Sequence, residues 1–415
     1  MDGRALVDWA ASRMPVVAGL AARFVAERPL EGVRIGACLH VTAETAVLLE
    51  ALRSAGAEVA LAASNPLSTR DEIVVTLEDE GIRTYARRGD TAAAVVANLD
   101  AVLDSRPMIT IDDGCDLLAR LHLERRDRLE SVVGGTEDTT SGAVRLRGLA
   151  EAGVLAYPVV AVSGSTTRSL ADNRHGTGQS TLDGILRATN MLLAGSSVVV
   201  AGYGSCGRSV ADCARGLGAH VVVTEIDPER ALAAVLDGYR VETMEEASRH
   251  GRLFVTATGN RDVIRPEHVA AMADGAILAN AGQFDLEIDV AGLEALSGGR
   301  VRRVRPMVDE YLVTGSGDGR AARTEHRVLL LAEGRLVNLA AGDGSPPEVM
   351  DVAFAVQALA CEWLWAHHAA LPVAVHEVPR ELDEAVAALK LATLGVGLDN
   401  LTPEQQAYLA SWGRS

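Results

Sequence analysis

The chain has 415 residues, room for two or three domains with a core each. Its 48% apolar and 23% charged composition is globular and excludes collagen-like, disordered and coiled-coil chains. With 56 Asp+Glu against 39 Lys+Arg, a net charge of −17 argues against nucleic-acid and anionic-membrane partners.

No apolar run reads as a membrane span. The N-terminal segment MDGRALVDWA carries an early acid and lacks the basic start and apolar stretch of a signal peptide. Cys38, Cys115, Cys206, Cys213 and Cys361 form no CxxC and no Cys/His ligand spacing. They read as reduced cytoplasmic thiols, with no metal site. Lys390 is the single lysine, so the basic complement has drifted almost wholly to Arg.

In chain order, Val33–Leu39 reads as a strand ending at His40, Ala43–Ala55 as a helix and Glu58–Ala63 as a strand. The alternation continues through Ala101–Ile111, which stops at an acidic turn, and Leu155–Val162. This βαβ rhythm implies a parallel sheet, with His40 and Asp112–Asp113 just past strand carboxyl ends, where such sheets gather ligand groups. Leu182–Leu193 reads as a helix stopped by Ala194–Gly195, Ser197–Ala201 as a strand, Arg208–Leu217 as a helix and His220–Thr224 as a second strand. Further βα units run to about residue 335, and helices follow at Glu348–His367 and Glu381–Leu391.

Between Ala201 and Arg208 lies Gly202-Tyr203-Gly204-Ser205-Cys206-Gly207, a GxGxxG that follows a strand and opens a helix. Glu225 ends the next strand at the spacing expected for a ribose-binding acid. In such a site Gly202 makes the tight turn, Gly204 admits the pyrophosphate and Gly207 lets helix and strand pack closely. The helix N-terminus offers free N–H groups to the phosphates. The charge of Glu225 would repel a 2′-phosphate and favours NAD over NADP.

Four other polar stretches stand out: His40–Glu44, Ile111–Asp116, Gly135–Gly142 and Thr167–Asn173. The first also reads as a capped helix, the second as an acidic turn or divalent-cation loop without EF-hand spacing, and the third as a Ser/Thr cap. The fourth lies where the chain passes from the first unit to the second, a place where ligand clefts form.

Together with CLHVTAETAVLLEAL, NPLSTRDE, DDGCDLL, GGTEDTTSG, ADNRHG, VVVAGYGSCGR and NAGQFDLEID, these segments resemble the S-adenosylhomocysteine hydrolase (adenosylhomocysteinase) family, from about Gly36 to Leu409. The resemblance implies an α/β fold with parallel sheets, in which a Rossmann NAD-binding domain (179–344) is inserted into a substrate-binding domain (1–178 and 345–394), with a short helical tail (395–415). It implies a homo-oligomer, dimer or tetramer, and a substrate that is an adenosine-type nucleoside or S-adenosylhomocysteine. Tightly held NAD oxidises the ribose 3′-hydroxyl, a base takes the acidified 4′ proton, and the 5′ substituent leaves by β-elimination.

By position, the resemblance makes His40 and Asp113 the acid–base groups near the 4′ and 5′ carbons. Asp172 falls beside the 3′-hydroxyl, and Thr42 and Glu44 on adenine or ribose. Asp138 replaces a Glu that binds the ribose hydroxyls. Thr139, Thr140, Ser141, Asn173, Gly202, Gly204, Gly207, Glu225, Asn260, Gly282 and Asn338 fall on NAD.

The departures cluster in the same site. Arg168 stands for a Lys that assists 3′-oxidation, and a guanidinium stays protonated at any working pH. Gln283 stands for a His near the 5′ side, Ser345 for a His beside the adenine and Thr177 for a Cys near the nicotinamide. The sequence ends Trp412-Gly413-Arg414-Ser415, before the Lys and Tyr with which the family reaches a neighbour's NAD, so weaker NAD retention and altered assembly are expected. These changes favour a nucleoside 5′-dehydratase over a plain S-adenosylhomocysteine hydrolase. A non-catalytic NAD-binding regulator would not need to keep His40, Asp113 and Asp172.

Overall fold

The structure is a computed structural model that describes residues 2–315 and 325–411. Two parallel sheets organise it. The first holds β1 (Arg34–Leu39), β2 (Glu58–Ala63), β3 (Arg83–Tyr85), β4 (Ile109–Asp112), β5 (Gly134–Glu137) and β6 (Val159–Ala161), in the order β3-β2-β1-β4-β5-β6. A late strand, Val375–Glu377, joins the same sheet beside β6. β1, β2 and β4 are short apolar runs buried almost throughout, as parallel strands covered on both faces must be.

The second sheet holds β7 (Ser197–Ala201), β8 (His220–Thr224), β9 (Arg240–Val241), β10 (Leu253–Thr256), β11 (Ala276–Asn280), β12 (Val301–Arg305), β13 (Val308–Thr314) and β14 (Glu325–Leu331). Its parallel part runs β9-β8-β7-β10-β11-β14, the doubly wound order, extended by the antiparallel β13 and β12. In both sheets the order reverses beside the first strand, between β1 and β4 and between β7 and β10. A crevice opens at each reversal, outside the carboxyl ends of the strands.

One helical run crosses between the sheets: Thr166–Ala171, a π-helical turn over Asp172–Gly176, then Thr177–Thr189. The π turn inserts an extra residue per turn at the point where Asp172 and Asn173 face the cleft. The helix Pro347–His367 returns the chain to the first core, where Val352, Phe354, Val356 and Leu359 pack with strand residues such as Ile35 and Ile111.

Several boundaries differ from expectation. Ala101–Asp104 belongs to a helix (Ala92–Asp104) whose apolar residues simply abut those of β4. The second-unit helix begins at Thr177 and ends at Asn190, a left-handed cap, not at Ala194–Gly195. The apolar segment Pro347–Ala370 is long enough to cross a membrane, against the sequence-based expectation, but 67% of its 18-residue apolar window is buried inside the protein as core. The units after β11 are partly antiparallel, not βα repeats.

The lone lysine has a structural task. Lys390 Nζ sits 2.8 Å from the fully buried Asp351, whose Oδ1 accepts from Val16 and Val17 N–H at 2.9 Å each. These are free N–H groups of the helix Pro15–Glu27, which lacks a side-chain cap of its own. Beyond Thr393, the segment to Ser411 is exposed, including Leu394, Leu398, Tyr408 and Leu409. Trp412–Ser415 lie outside the described residues.

Candidate active site

The two crevices and the crossing helix enclose one cavity of about 640 Å³, the size of a nucleotide-scale ligand site. It is lined from the first unit by His40, Thr42, Glu44, Asp113 and Asp138–Ser141, and from the crossing helix by Arg168, Asp172 and Asn173. Gly204, Gly282, Gln283, Asn338 and Ser345 close it from the second unit and the return segment. Gly202, Gly207, Glu225 and Asn260 do not line it. Asn260 is exposed, and its amide oxygen accepts from the Arg261 N–H.

His40 follows β1 and Asp113 follows β4, at the reversal of the first sheet. The Asp113 N–H donates to the Cys38 carbonyl (3.0 Å), so the paired strands deliver both side chains to one spot. His40 Nε2 lies 3.5 Å from Asp113 Oδ2. Burial pushes the imidazole down to about 4, while Asp138 works the other way. Burial pushes the Asp113 carboxyl well above the usual carboxylate range, and Asp138 and Asp112 add to the rise. Burial thus favours the uncharged form of each group, an imidazole beside a carboxyl that holds its proton more readily than an ordinary aspartate. From the second unit, Gln283 Nε2 donates to Asp113 Oδ1 at 2.9 Å and ties the crevices together.

Arg168 is a buried positive charge on the cavity wall. Its Nη2 is 2.8 Å from Asp138 Oδ2 and 3.6 Å from Asp172 Oδ2. Arg168 is 5% exposed, yet the carboxylates beside it, Asp138 foremost and then Asp172, outweigh burial and raise its affinity for the proton. Arg168 Nε and Asp138 Oδ1 are buried and lack protein partners. Such groups are costly unless a ligand completes them. Burial raises Asp172, against the pull of Arg168 and the Ser345 hydroxyl, which donates to Asp172 Oδ1 at 2.9 Å. Ser345 therefore engages the carboxylate on the crossing helix, whereas the resemblance places it beside the base. Thr177 Oγ1 stands 4.0 Å from the thiol of Cys206, so a sulfur is present there although residue 177 is not a cysteine.

Thr42 caps the helix Ala43–Ser54, and Glu44 occupies its first turn, held above its ordinary pKa by burial. The structural and ligand-facing interpretations of this stretch thus coexist. The same is true of Thr139, whose hydroxyl accepts from Gly142 N–H while its edge lines the cavity.

The residues of the second crevice fit a dinucleotide. Gly202 has φ +94°, and a Cβ there would meet the Ala257 carbonyl at 2.8 Å. Gly204 is the N-cap of the helix Ser205–Gly216, with no side chain capping it, so its first N–H groups are free for phosphate. The buried Asn338 Oδ1 is unpartnered. Glu225 accepts from the N–H groups of Tyr203, Ile226 and Asp227, which fixes the turn below the ribose position.

Sequence reasoning missed the residues that hold these loops. Glu137 Oε1 accepts from Gly114 N–H, Thr139 N–H and Thr139 Oγ1 (2.9, 2.9 and 2.7 Å), pinning the Asp113 loop to the Asp138 loop. Glu287 does the same for Thr258 and Gly259, and Asn280 for the 282–284 turn. The signal available for Glu137 and Asn280 was a carboxylate or amide ending a strand with glycine two residues away, and Glu287, seven residues beyond β11, carried none.

The fold and cavity define a two-unit α/β enzyme that uses NAD, with a nucleotide site facing a buried acid–base site. Comparison with known proteins gives the family. Residues 2–131 match S-adenosyl-L-homocysteine hydrolase, and residues 173–344 its NAD binding domain. The chain is 51% identical over 410 residues to S-inosyl-L-homocysteine hydrolase of Methanopyrus kandleri, covering 99% of this chain and 95% of that protein. It is 53% identical over 411 residues to adenosylhomocysteinase of Aeropyrum pernix, covering 99% and 96%. A dipicolinate synthase chain from Bacillus halodurans shares the fold at a TM-score of 0.51 and 14% identity, over 81% of this chain and 99% of that one. The chain belongs to the S-adenosyl-L-homocysteine hydrolase family and is an NAD-dependent enzyme.

Proposed function

We propose that the protein oxidises the 3′-hydroxyl of an adenosine-type nucleoside transiently, removes the 4′ proton and eliminates the 5′ group, the 5′ hydroxyl leaving as water. Bound NAD supplies the hydride acceptor and donor. Asp172 takes the 3′-hydroxyl proton, since Arg168 cannot. Arg168 holds the oxygen while its charge is shared with Asp138. His40 takes the 4′ proton, and Asp113, carrying its own proton, gives it to the leaving oxygen. Asp138 completes its unpartnered oxygen on a ribose hydroxyl. Thr42 and Glu44 face the nucleoside, and Thr139–Ser141, Asn173, Gly282 and Asn338 face the cofactor.

The bond from Gln283 to Asp113 carries this assignment. A hydroxide is a poor leaving group and needs a proton donor at the moment of departure. Asp113 is such a donor, and an amide on its other oxygen holds it in place without competing for the proton.

A second reading is hydrolysis of S-adenosyl- or S-inosyl-homocysteine, supported by the names of the relatives at 51–53% identity. Mass spectrometry of products decides. A nucleoside lighter by one water from adenosine-type substrates supports the dehydratase; homocysteine from the thioether supports the hydrolase. The five free thiols fit a cytoplasmic location, and the exposed apolar arm after Thr393 fits a homo-oligomer that covers it.

A further inference from the structure

We propose that Ser68 is a positioning residue for the acid–base pair: its hydroxyl holds His40 in the tautomer that carries the proton on Nδ1 and presents a bare Nε2 to the substrate. The inference rests on His40 acting as the base in the proposed function.

Ser68 lies in the segment after β2, buried at 3% exposure. Its Oγ is 2.9 Å from the Asn65 carbonyl and 2.7 Å from His40 Nδ1. A carbonyl only accepts, so the one hydroxyl proton goes to Asn65. The segment is wound around that carbonyl, with Ser68 N–H at 3.2 Å and Thr69 Oγ1 at 3.1 Å also directed to it. Asn65 is held in turn, its Oδ1 accepting from Leu67 N–H at 2.9 Å. The lone pairs left on Ser68 Oγ face His40 and take a proton only from Nδ1–H. The tautomer at one ring nitrogen is set by the partner of the other, so Nε2 carries the lone pair.

The other end of the network agrees. Gln283 donates to Asp113 Oδ1, which makes that oxygen an acceptor. Whenever the carboxyl holds a proton, that proton then sits on Oδ2, the oxygen 3.5 Å from His40 Nε2. The opposite tautomer would set an Nε2–H against that O–H, donor against donor. From Asn65 to Gln283 the hydrogen bonds have one consistent sense. It leaves a base and an acid side by side, each with its reactive atom in the cavity. The His40 backbone is fixed separately, its carbonyl accepting from Thr45 Oγ1 at 2.7 Å, so Ser68 is free to act on the ring alone.

The test uses the NAD-loaded full chain with nitrogen-15 histidine, assigned by comparison with His40→Gln. In the wild type, His40 Nδ1 is expected to be protonated and Nε2 imine-like, and in Ser68→Ala both tautomers appear. With adenosine in deuterated water, Ser68→Ala is expected to reduce NAD at close to the normal rate. Its 4′-hydrogen exchange falls on the order of 10- to 100-fold, the scale of a misplaced general base, and Ser68→Thr recovers it. A wild-type His40 protonated on Nε2 overturns the proposal, and so does normal 4′ exchange in Ser68→Ala. If the wild type neither reduces NAD nor exchanges with adenosine, the functional reading fails, and the nitrogen-15 spectrum alone decides the role of Ser68.

Discussion

The Arg168–Asp138 pair allows a sharp test, because it exchanges the lengths of the two side chains that the family places there. The resemblance puts a Lys and a Glu at these two positions; this chain has a longer base and an acid one methylene shorter, and the two meet at 2.8 Å. Arg168→Lys alone draws the positive nitrogen back by about one bond length, to about 4.3 Å. At an effective dielectric of 20 the attraction falls from about 6 to about 4 kcal/mol, a loss of about 2 kcal/mol. Asp138→Glu alone pushes the carboxylate one methylene further against the buried guanidinium that it already meets at 2.8 Å, at a cost of about 1–3 kcal/mol. Made together, the two changes restore the span. Each single variant should slow NAD reduction on adding adenosine by roughly 30-fold and lower the urea midpoint, while the double should return to within about threefold of wild type. That is a coupling of about 3 kcal/mol in a double-mutant cycle. Additive effects, or a fully active Arg168→Lys, would refute the idea that the pair is matched by length.

Asp172→Ala should abolish NAD reduction by adenosine, at least about 100-fold, while the protein still binds NAD by calorimetry; normal reduction would displace Asp172 from the 3′-hydroxyl. The pH profile of elimination should fall on the acid side as His40 protonates near pH 4 and on the alkaline side as Asp113 ionises; Asp113→Asn should remove activity at every pH. The same variant should be more stable than wild type as pH rises. The folded pKa of Asp113 is raised, so wild-type stability drains away above the unfolded value of about 3.9, and the amide escapes that loss. Equal thermal midpoints at pH 8 would contradict the neutral carboxyl. Lys390→Ala leaves the buried Asp351 without its cation and should lower stability by about 3 kcal/mol, with NAD affinity unchanged. An unaltered melting curve would mean that the Val16 and Val17 N–H groups suffice.

Much of this site was legible in the sequence because strand ends are legible. His40, Asp113 and Glu225 each follow an apolar run at the point where a parallel sheet releases its chain, and the glycine pattern identifies the phosphate turn. Spacing could not bring Asp113 to Gln283, which lie 170 residues apart and meet only because two sheets present their reversal points to one cleft. The π turn was illegible too: Asp172, Asn173, His175 and Gly176 are weak helix formers, which reads as a break between helices and not as a continuous run with one wide turn. Glu137 and Glu287 escaped notice because a buried carboxylate that accepts backbone N–H groups looks, in one dimension, like a surface charge. The segment Ala101–Ile111 misled because a helix end and a strand start share the same apolar letters.

The change from lysine to arginine reorganises the proton chemistry more than its conservative look suggests. A buried lysine can surrender its proton, so a family member with Lys at this position has a base there. Arg168 cannot, and the carboxylates of Asp138 and Asp172 beside it hold its proton more firmly still. The positive charge is therefore constant, and every proton the reaction moves on this side must pass through a carboxylate. Asp138 is occupied by the guanidinium at 2.8 Å, and under the proposed function Asp113, raised by burial, keeps its proton for the leaving group. Asp172 remains, 3.6 Å from the charge and hydrogen-bonded by Ser345. A histidine at position 345 could share the proton that Asp172 receives, and a serine can only hold the carboxylate still. Ser345→His should therefore add a titrating group to the pH profile of 3′-oxidation while leaving 4′-hydrogen exchange, once the ketone has formed, unchanged. A shift in the exchange step with none in NAD reduction would place Ser345 on the wrong side of the sugar.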